Sequence, residues 1–396
     1  MRGTKKPKIA LVWTQFTVHH VDRCSAVAER LKDRAKVLAV EIASTSNDYA
    51  AFAPSGAIAG AAKITLFPGE SFDRVARWRR FAALFAQLIR CRVIYLGVPY
   101  SHLDVLALAW VLRLLGKRVV LMCDSKFDDS PRGAGFEFCK RIGLLCFGSV
   151  IVAGARGAAY FQFLGFPQRS ILTGYDTISV DRIRADSAKP EAVQTKPFDQ
   201  RDFMFVGRFV EKKNVAGLIA SFASYVASEP GSKRRLVLVG SGPLEQALRD
   251  QVSELGLEQK VVFTGFLEGA ELARMLADAL GLVLVSYNEQ WGLVINEAVA
   301  LGLPVIVSES PGARDSLVRN LISGYVVENG SIAGTARAMQ LLSGNEASWQ
   351  AMREASRQRA RLGSAECFCD AVELLTGPAA DATKQRAAAY LAECQA

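Results

Sequence analysis

Short runs of Val, Ile and Leu recur along the chain, each followed by a stretch with helical spacing, and this alternation limits the possible folds most. In the first half the strand-like runs are Lys8–Trp13, Lys36–Ile42, Lys63–Pro68, Val93–Val98, Arg118–Asp124, Ser149–Ala153 and Arg169–Thr173. In the second half they are Phe203–Gly207, Arg235–Gly240, Val261–Gly265, Leu282–Ser286, Pro304–Ser308 and Gly324–Glu328. Strands without polar alternation are buried on both faces, and the helices between them serve as crossovers of a parallel sheet. Two such series predict an α/β chain with two doubly wound, Rossmann-like domains. Between them, "DSAKPEAVQTKPFDQ" is polar, holds two prolines and lacks apolar periodicity. The expected division is an N-terminal domain over 1–180, a linker over 181–200, a C-terminal domain over 201–345 and helices over 346–396 that can cross back to the first domain. Ligands of open parallel sheets bind beyond the carboxyl ends of the strands. The expected site is therefore a cleft faced by the strand-end loops of both domains.

The 396 residues are enough for two cores, and a chain that is 50% hydrophobic and 22% charged is not disordered. No apolar stretch reaches the roughly 20 residues of a membrane-spanning helix. The run Leu103–Leu115 is interrupted by Asp104 and Arg113 and reads as a core helix. After Arg2, Lys5, Lys6 and Lys8, the apolar run Ile9–Trp13 is too short for a signal peptide, so a cytoplasmic protein is expected. Eight cysteines without a Cys-x-x-Cys pair suggest reduced, structural thiols, and three histidines argue against a His-rich metal centre. The net charge of +9 points to polyanions: nucleic acid, anionic lipid or phosphorylated substrates. No nucleic-acid motif accompanies it, and no nucleic-acid partner is expected.

Four strand-end loops in the second half carry candidate chemistry. "RFVEKKN" follows the strand "FMFVG" and places Arg208 and Lys213 five residues apart. Two cations there suit a nucleotide diphosphate, whose leaving-group charge grows as a glycosyl bond breaks; a solvated basic turn is the alternative. In "VLVGSGPLEQAL", Gly240 and Gly242 leave room for close approach of a ligand, or simply punctuate strand and helix. Phe266 ends "VVFTGF", where a flat base could rest. The richest stretch is "NEQWGLVINEA", with Glu289 and Glu297 eight positions apart. Gly292 marks a helix start, and Val294, Ala298 and Leu301 form its expected buried stripe. Amides of Trp291, Gly292, Leu293 and Val294 would form a positive terminus suited to a diphosphate. Glu297 lies about 7.5 Å further along the axis, the offset from phosphate to ribose. A buried, unpaired glutamate would cost several kcal/mol, and ligand hydroxyls supply a reason to keep one.

In this order, Arg-x4-Lys, Gly-x-Gly-Pro and Glu-x7-Glu followed by "GLPVIVS" resemble glycosyltransferase family 4, in a subgroup with a Glu-Gln-Trp-Gly-Leu-Val form of the acidic motif. The likeness runs over most of Phe203 to Glu328. It implies a retaining, nucleotide-sugar-dependent enzyme of the GT-B fold that needs no metal or other cofactor. It further implies that Arg208 and Lys213 hold the donor diphosphate, that Glu289 lies near the donor sugar, and that Glu297 lies on the ribose. Amides around Gly292 to Val294 would contact sugar and phosphate. The matching strand end of the first half places Asp124 near the reacting carbon, where it would orient the acceptor hydroxyl; a loop acid or N-cap is the alternative. Family members often carry a glycine-rich loop after the first strand, whereas this chain has "TQFTVHHVDR". Gln15, His20, Arg23 and Lys126 are the residues expected to bind the acceptor; helix entry is the alternative for His20 and Arg23, and pairing with Asp128 and Asp129 the alternative for Lys126.

"FDRVARWRRFAALFAQLIRCR" sets six arginines beside one aspartate, with Trp78, Phe81, Phe85 and Leu88 on one helical face. Such a helix can lie on an anionic membrane or pack its aromatics on the first sheet. The expected function is hexosyl transfer from a nucleotide diphosphate sugar to a glycan or lipid-linked acceptor, in surface polysaccharide or glycolipid synthesis at the inner face of the cytoplasmic membrane. An epimerase of the same fold and a non-catalytic nucleotide-sugar-binding protein are the alternatives.

Overall fold

The computed structural model describes residues 6–47, 52, 55–188 and 196–395. Arg2, Lys5 and the stretch 189–195 of the expected linker lie outside the described residues. The chain divides into two compact units, one made of Met1–Ser179 with Ala365–Ala396 and the other of Val180–Ser364.

The first unit opens with β1 (Lys8–Trp13), α1 (Val18–Leu31), β2 (Lys36–Thr45), β3 (Ala62–Ser71), α2 (Arg77–Leu88) and β4 (Val93–Leu96). It continues with α3 (Leu103–Leu114), β5 (Arg118–Cys123), α4 (Ala134–Gly143), β6 (Ser149–Val152), α5 (Ala155–Phe163) and β7 (Ile171–Thr173). The second unit holds α6 (Val180–Asp186), β8 (Phe203–Val206), α7 (Val215–Ser228), β9 (Leu236–Val239), α8 (Glu245–Glu254), β10 (Val261–Gly265) and α9 (Gly269–Ala277). Then come β11 (Gly281–Leu284), α10 (Leu293–Ala300), β12 (Val305–Ser308), α11 (Ala313–Leu317), β13 (Gly324–Val327), α12 (Ile332–Gly344) and α13 (Glu346–Arg359). Two last helices, α14 (Ala365–Thr376) and α15 (Asp381–Gln395), belong to the first unit.

Both sheets are parallel throughout, with orders β3-β2-β1-β4-β5-β6-β7 and β10-β9-β8-β11-β12-β13. Every run expected to be a strand forms one. The reason is burial on both faces: in β1 each residue from Ile9 to Trp13 is buried, and a core lies on either side of the first sheet. Val12, Leu84, Leu108 and Phe161 belong to the core under α2, α3 and α5; Leu11, Val27 and Phe368 belong to the one under α1 and α14. In each sheet the strand order reverses direction once, at β1/β4 and at β8/β11. A ligand site of such a sheet forms outside the carboxyl ends at that reversal.

Two boundaries differ from the sequence reading. The stretch expected as a linker begins with α6, which packs on α9 and α10; Arg184 Nε donates to the Ala300 carbonyl at the end of α10, at 2.9 Å. Of the expected C-terminal helices, α13 stays with the second unit, where Trp349 Nε1 donates to Leu280 O at 2.7 Å and Ser356 Oγ to Leu303 O at 3.0 Å. Only α14 and α15 return. Arg30 on α1 donates to Asp370 at 2.8 Å and to Glu373 at 3.2 Å, and Tyr95 OH donates to Val372 O at 2.9 Å. Among the described residues no helix is long and apolar enough to cross a membrane.

Candidate active site

The reversal point of the second sheet gathers the charged candidates. Neighbouring strands β8 and β11 run side by side, with Phe203 opposite Gly281 and Met204 opposite Leu282. Their following loops are tied backbone to backbone, since Tyr287 N donates to Lys212 O at 2.8 Å. Asn214 begins α7 in the left-handed conformation (φ 52°), which its short polar side chain tolerates. Its Nδ2 donates to Val285 O at 3.1 Å, closing the loop onto the end of β11. These ties aim Lys213 at Glu289, and the two form a largely buried ion pair. Glu289 is itself held: its N–H donates to Ser310 Oγ at 3.0 Å, and Ser286 Oγ lies 3.5 Å from its Oε2. Ser308 Oγ in turn donates to Ser286 O at 2.7 Å. Ser286 thus meets the carboxylate, while Ser310 holds the Glu289 backbone and Ser308 the Ser286 backbone. Sequence reasoning missed them and Asn214; the "SES" that ends the β12 segment and the Asn closing "EKKN" were the available signals.

Arg208 leaves the same strand as Lys213, is exposed and forms no ion pair among the described residues. It remains available to an anion. Gly240 and Gly242 serve close packing of protein backbone. A Cβ on Gly240 would fall 2.0 Å from Gly207 O, and one on Gly242 would fall 2.5 Å from Phe209 O. Gly240 also has a φ of 136°, which favours glycine. The close approach is made by the loop after β8, so these glycines let two site loops pack together. Phe266 is exposed just beyond β10, whereas Phe263 lies between the Phe209 ring and the Arg249 guanidinium.

Gly292 starts α10 with φ 97°, turning the chain from Glu289 into the helix. The first-turn amides, Leu293 and Val294 among them, have no partner within the helix. Trp291 contributes packing through its side chain: it is buried, and Nε1 donates to Asn296 Oδ1 at 2.9 Å. Glu297 is buried one turn further along. The expected stripe of Val294, Ala298 and Leu301 is replaced by burial of every residue from Ile295 to Ala300, because α6, α11 and α13 all pack on α10.

In the first unit the candidates are placed differently. Asp124 follows β5 directly at its carboxyl end and is half-buried. Beneath it, burial pushes the Cys123 thiol up to about 12. Gln15, after β1, is buried and accepts from Ser46 Oγ at 3.1 Å. His20 is buried in the first turn of α1, where Nδ1 accepts from Thr17 N at 3.0 Å. Burial holds its pKa well below the usual imidazole value, and the charge of Arg23 adds to this. Arg23 and Lys126 are corrections to the expected acceptor set. Arg23 is 1% exposed, donates to the Tyr175 and His19 carbonyls, and lies against the rings of Trp13, Tyr175 and Phe368. Lys126 is 2% exposed, with its ammonium 2.9 Å from Asp128 and 3.5 Å from Asp129. Both cations are engaged within the unit itself.

Known proteins share part of this sequence and the fold as a whole. Residues 187–359 match the family model described as Glycosyl transferases group 1. A glycogen synthase of Mycobacterium tuberculosis is 30% identical over 187 residues, 47% of this chain and 44% of its own length. An uncharacterised glycosyltransferase of Methanocaldococcus jannaschii is 33% identical over 129 residues, 33% of this chain and 32% of its own. The chain thus spans less than half the length of these curated relatives. The crystal structure of Anabaena HepE in complex with UDP and glucose superposes with a TM-score of 0.70 at 16% identity, covering 93% of this chain and 99% of that one. A glycosyltransferase from Rickettsia africae gives 0.70 at 14% identity, covering 94% and 98%. The fold is that of the GT-B glycosyltransferases: two parallel-sheet, Rossmann-like domains. The segment that resembles the family glycosyl transferases group 1 lies wholly inside the unit that carries the Lys213–Glu289 pair.

Proposed function

We propose that the protein is a retaining glycosyltransferase that moves a hexosyl group from a nucleotide diphosphate sugar to a glycan or lipid-linked acceptor, in surface polysaccharide or glycolipid synthesis. The carrying observation is the meeting of Lys213 and Glu289 at the strand reversal of the second sheet, with Arg208 exposed beside them. The Anabaena relative crystallised with UDP and glucose supports a nucleotide-sugar donor.

In this reading Lys213 exchanges its carboxylate partner for the donor diphosphate, joined by Arg208 and the first amides of α10. Glu289, its carboxylate freed and its backbone still held by Ser310, accepts hydrogen bonds from the donor sugar. Glu297 takes the ribose hydroxyls. As the glycosyl bond breaks, the bonding pair moves to the diphosphate oxygen, whose new charge these cations and amides stabilise. The acceptor hydroxyl attacks from the same face, and its proton passes to the departing diphosphate, which retains the anomeric configuration. Asp124 is assigned to orienting that hydroxyl, and no metal is needed when cations and amides neutralise the leaving group.

A panel of nucleotide diphosphate sugars tests this by thermal stabilisation, because a ligand bound by the native form raises its melting temperature. One donor should stabilise selectively and be consumed only with acceptor present. Absence of a shift with every donor, or full transfer by Glu289→Ala, defeats the reading.

A further inference from the structure

Of the helices over one face of the first sheet, α3 is apolar on both sides. Its inner side, Val105, Leu108, Ala109 and Leu112, lies in the core. Its outer side presents Leu103, Trp110 and Leu114 at the i, i+7 and i+11 positions of a single stripe. Next to it, α4 and the turn after it present Phe138, Ile142 and Leu145, again one stripe at i, i+4 and i+7. These six side chains are between 36% and 79% exposed. The two stripes are joined, since Trp110 Nε1 donates to Gly143 O at 3.1 Å and Leu106 packs against Gly143. A surface helix of a soluble unit turns a polar side to water. Two neighbouring helices that do the reverse mark a docking surface.

Charge identifies the occupant. Residues 72–163, which include both stripes, carry 14 Lys and Arg against 6 Asp and Glu, so +8 of the chain's +9 resides there. Arg113 on α3 and Arg141 on α4 are exposed beside the stripes. A second copy of the chain would bring the same positive surface against itself. An anionic bilayer offers the opposite charge at the headgroups and an apolar layer just beneath them, matching both features. The sequence directed attention to α2, but its stripe is divided: Trp78 is exposed, Leu88 is buried, Phe81 and Phe85 pack on the core, and Arg80 is spent on Asp104 at 2.8 and 2.9 Å.

We propose that the outer faces of α3 and α4 dock the protein on an anionic lipid bilayer. This surface owes nothing to the transfer reaction and is tested without donor or acceptor. Vesicles of phosphatidylcholine, with or without phosphatidylglycerol, are floated with the full chain at low and high salt. The protein should float with phosphatidylglycerol vesicles, and added salt should weaken the binding. Leu114→Glu with Ile142→Glu should lower partitioning by about tenfold or more. Both positions are exposed, so the melting temperature should not move. Three results overturn the proposal: no flotation on anionic vesicles at low salt, equal flotation of wild type and the double variant, or light scattering that shows a dimer abolished by the double variant while lipid stays unbound.

Discussion

Cations stand near strand ends in both units, yet the units use them in opposite ways. Arg23 and Lys126 in the first unit are sealed inside, one against three aromatic rings and a carbonyl, the other against two aspartates. In the second unit Arg208 is exposed and Lys213 holds a single carboxylate at the rim of its sheet. A positive charge near a strand end is therefore no measure of ligand binding by itself. What matters is whether the local structure has already satisfied it.

Substitutions can break or sharpen this contrast. The largest effect is expected from Lys213→Ala, which should lower sugar transfer by roughly 100- to 1,000-fold, as loss of one stabilising contact to a developing charge does. Leaving Glu289 largely buried without its cation should cost some stability, but the variant should still fold; a collapse of folding would make Lys213 structural, like Arg23. Arg23→Ala should behave in the reverse sense, costing about 3 kcal/mol in denaturant unfolding by removing a buried cation from its rings and from Asp176. Wild-type stability in that variant would erase the distinction between the units.

Ser310→Ala removes the acceptor for the Glu289 N–H and should cost about 1 kcal/mol of transition-state stabilisation, roughly fivefold in rate. The effect should appear in kcat rather than in stability. His20 gives a pH test confined to the first unit. Its folded pKa is depressed, so the unfolded chain takes up the proton first. Stability is fully present above the ordinary imidazole value of about 6.5 and declines below it, by about 1 kcal/mol over the first pH unit. His20→Gln, which keeps an acceptor for Thr17 N, should flatten that slope.

The strands were legible because a buried parallel strand is written as one unbroken apolar run, as in Ile9–Trp13. The short α6, "VDRIRAD", buries little beyond Ile183 and so resembled a polar connection. Contacts between distant segments were harder still. Trp13, Tyr175 and Phe368 enclose Arg23 from three separate parts of the chain, and local spacing cannot reveal whether an arginine meets water or such a cage. Gly240 was read as space for a ligand because its partner, the Gly207 carbonyl, lies on another strand end. Glu289 and Lys213 were readable as candidates; their supporting serines appear only once β11 and β12 stand side by side.

The second unit is one continuous segment, whereas the first is interrupted by it and finished by α14 and α15. During synthesis the strands of the first sheet emerge early, but the face that α1 covers in part lacks the rest of its cover until α14 leaves the ribosome, after the second unit is already whole. The part made first is thus the last to mature.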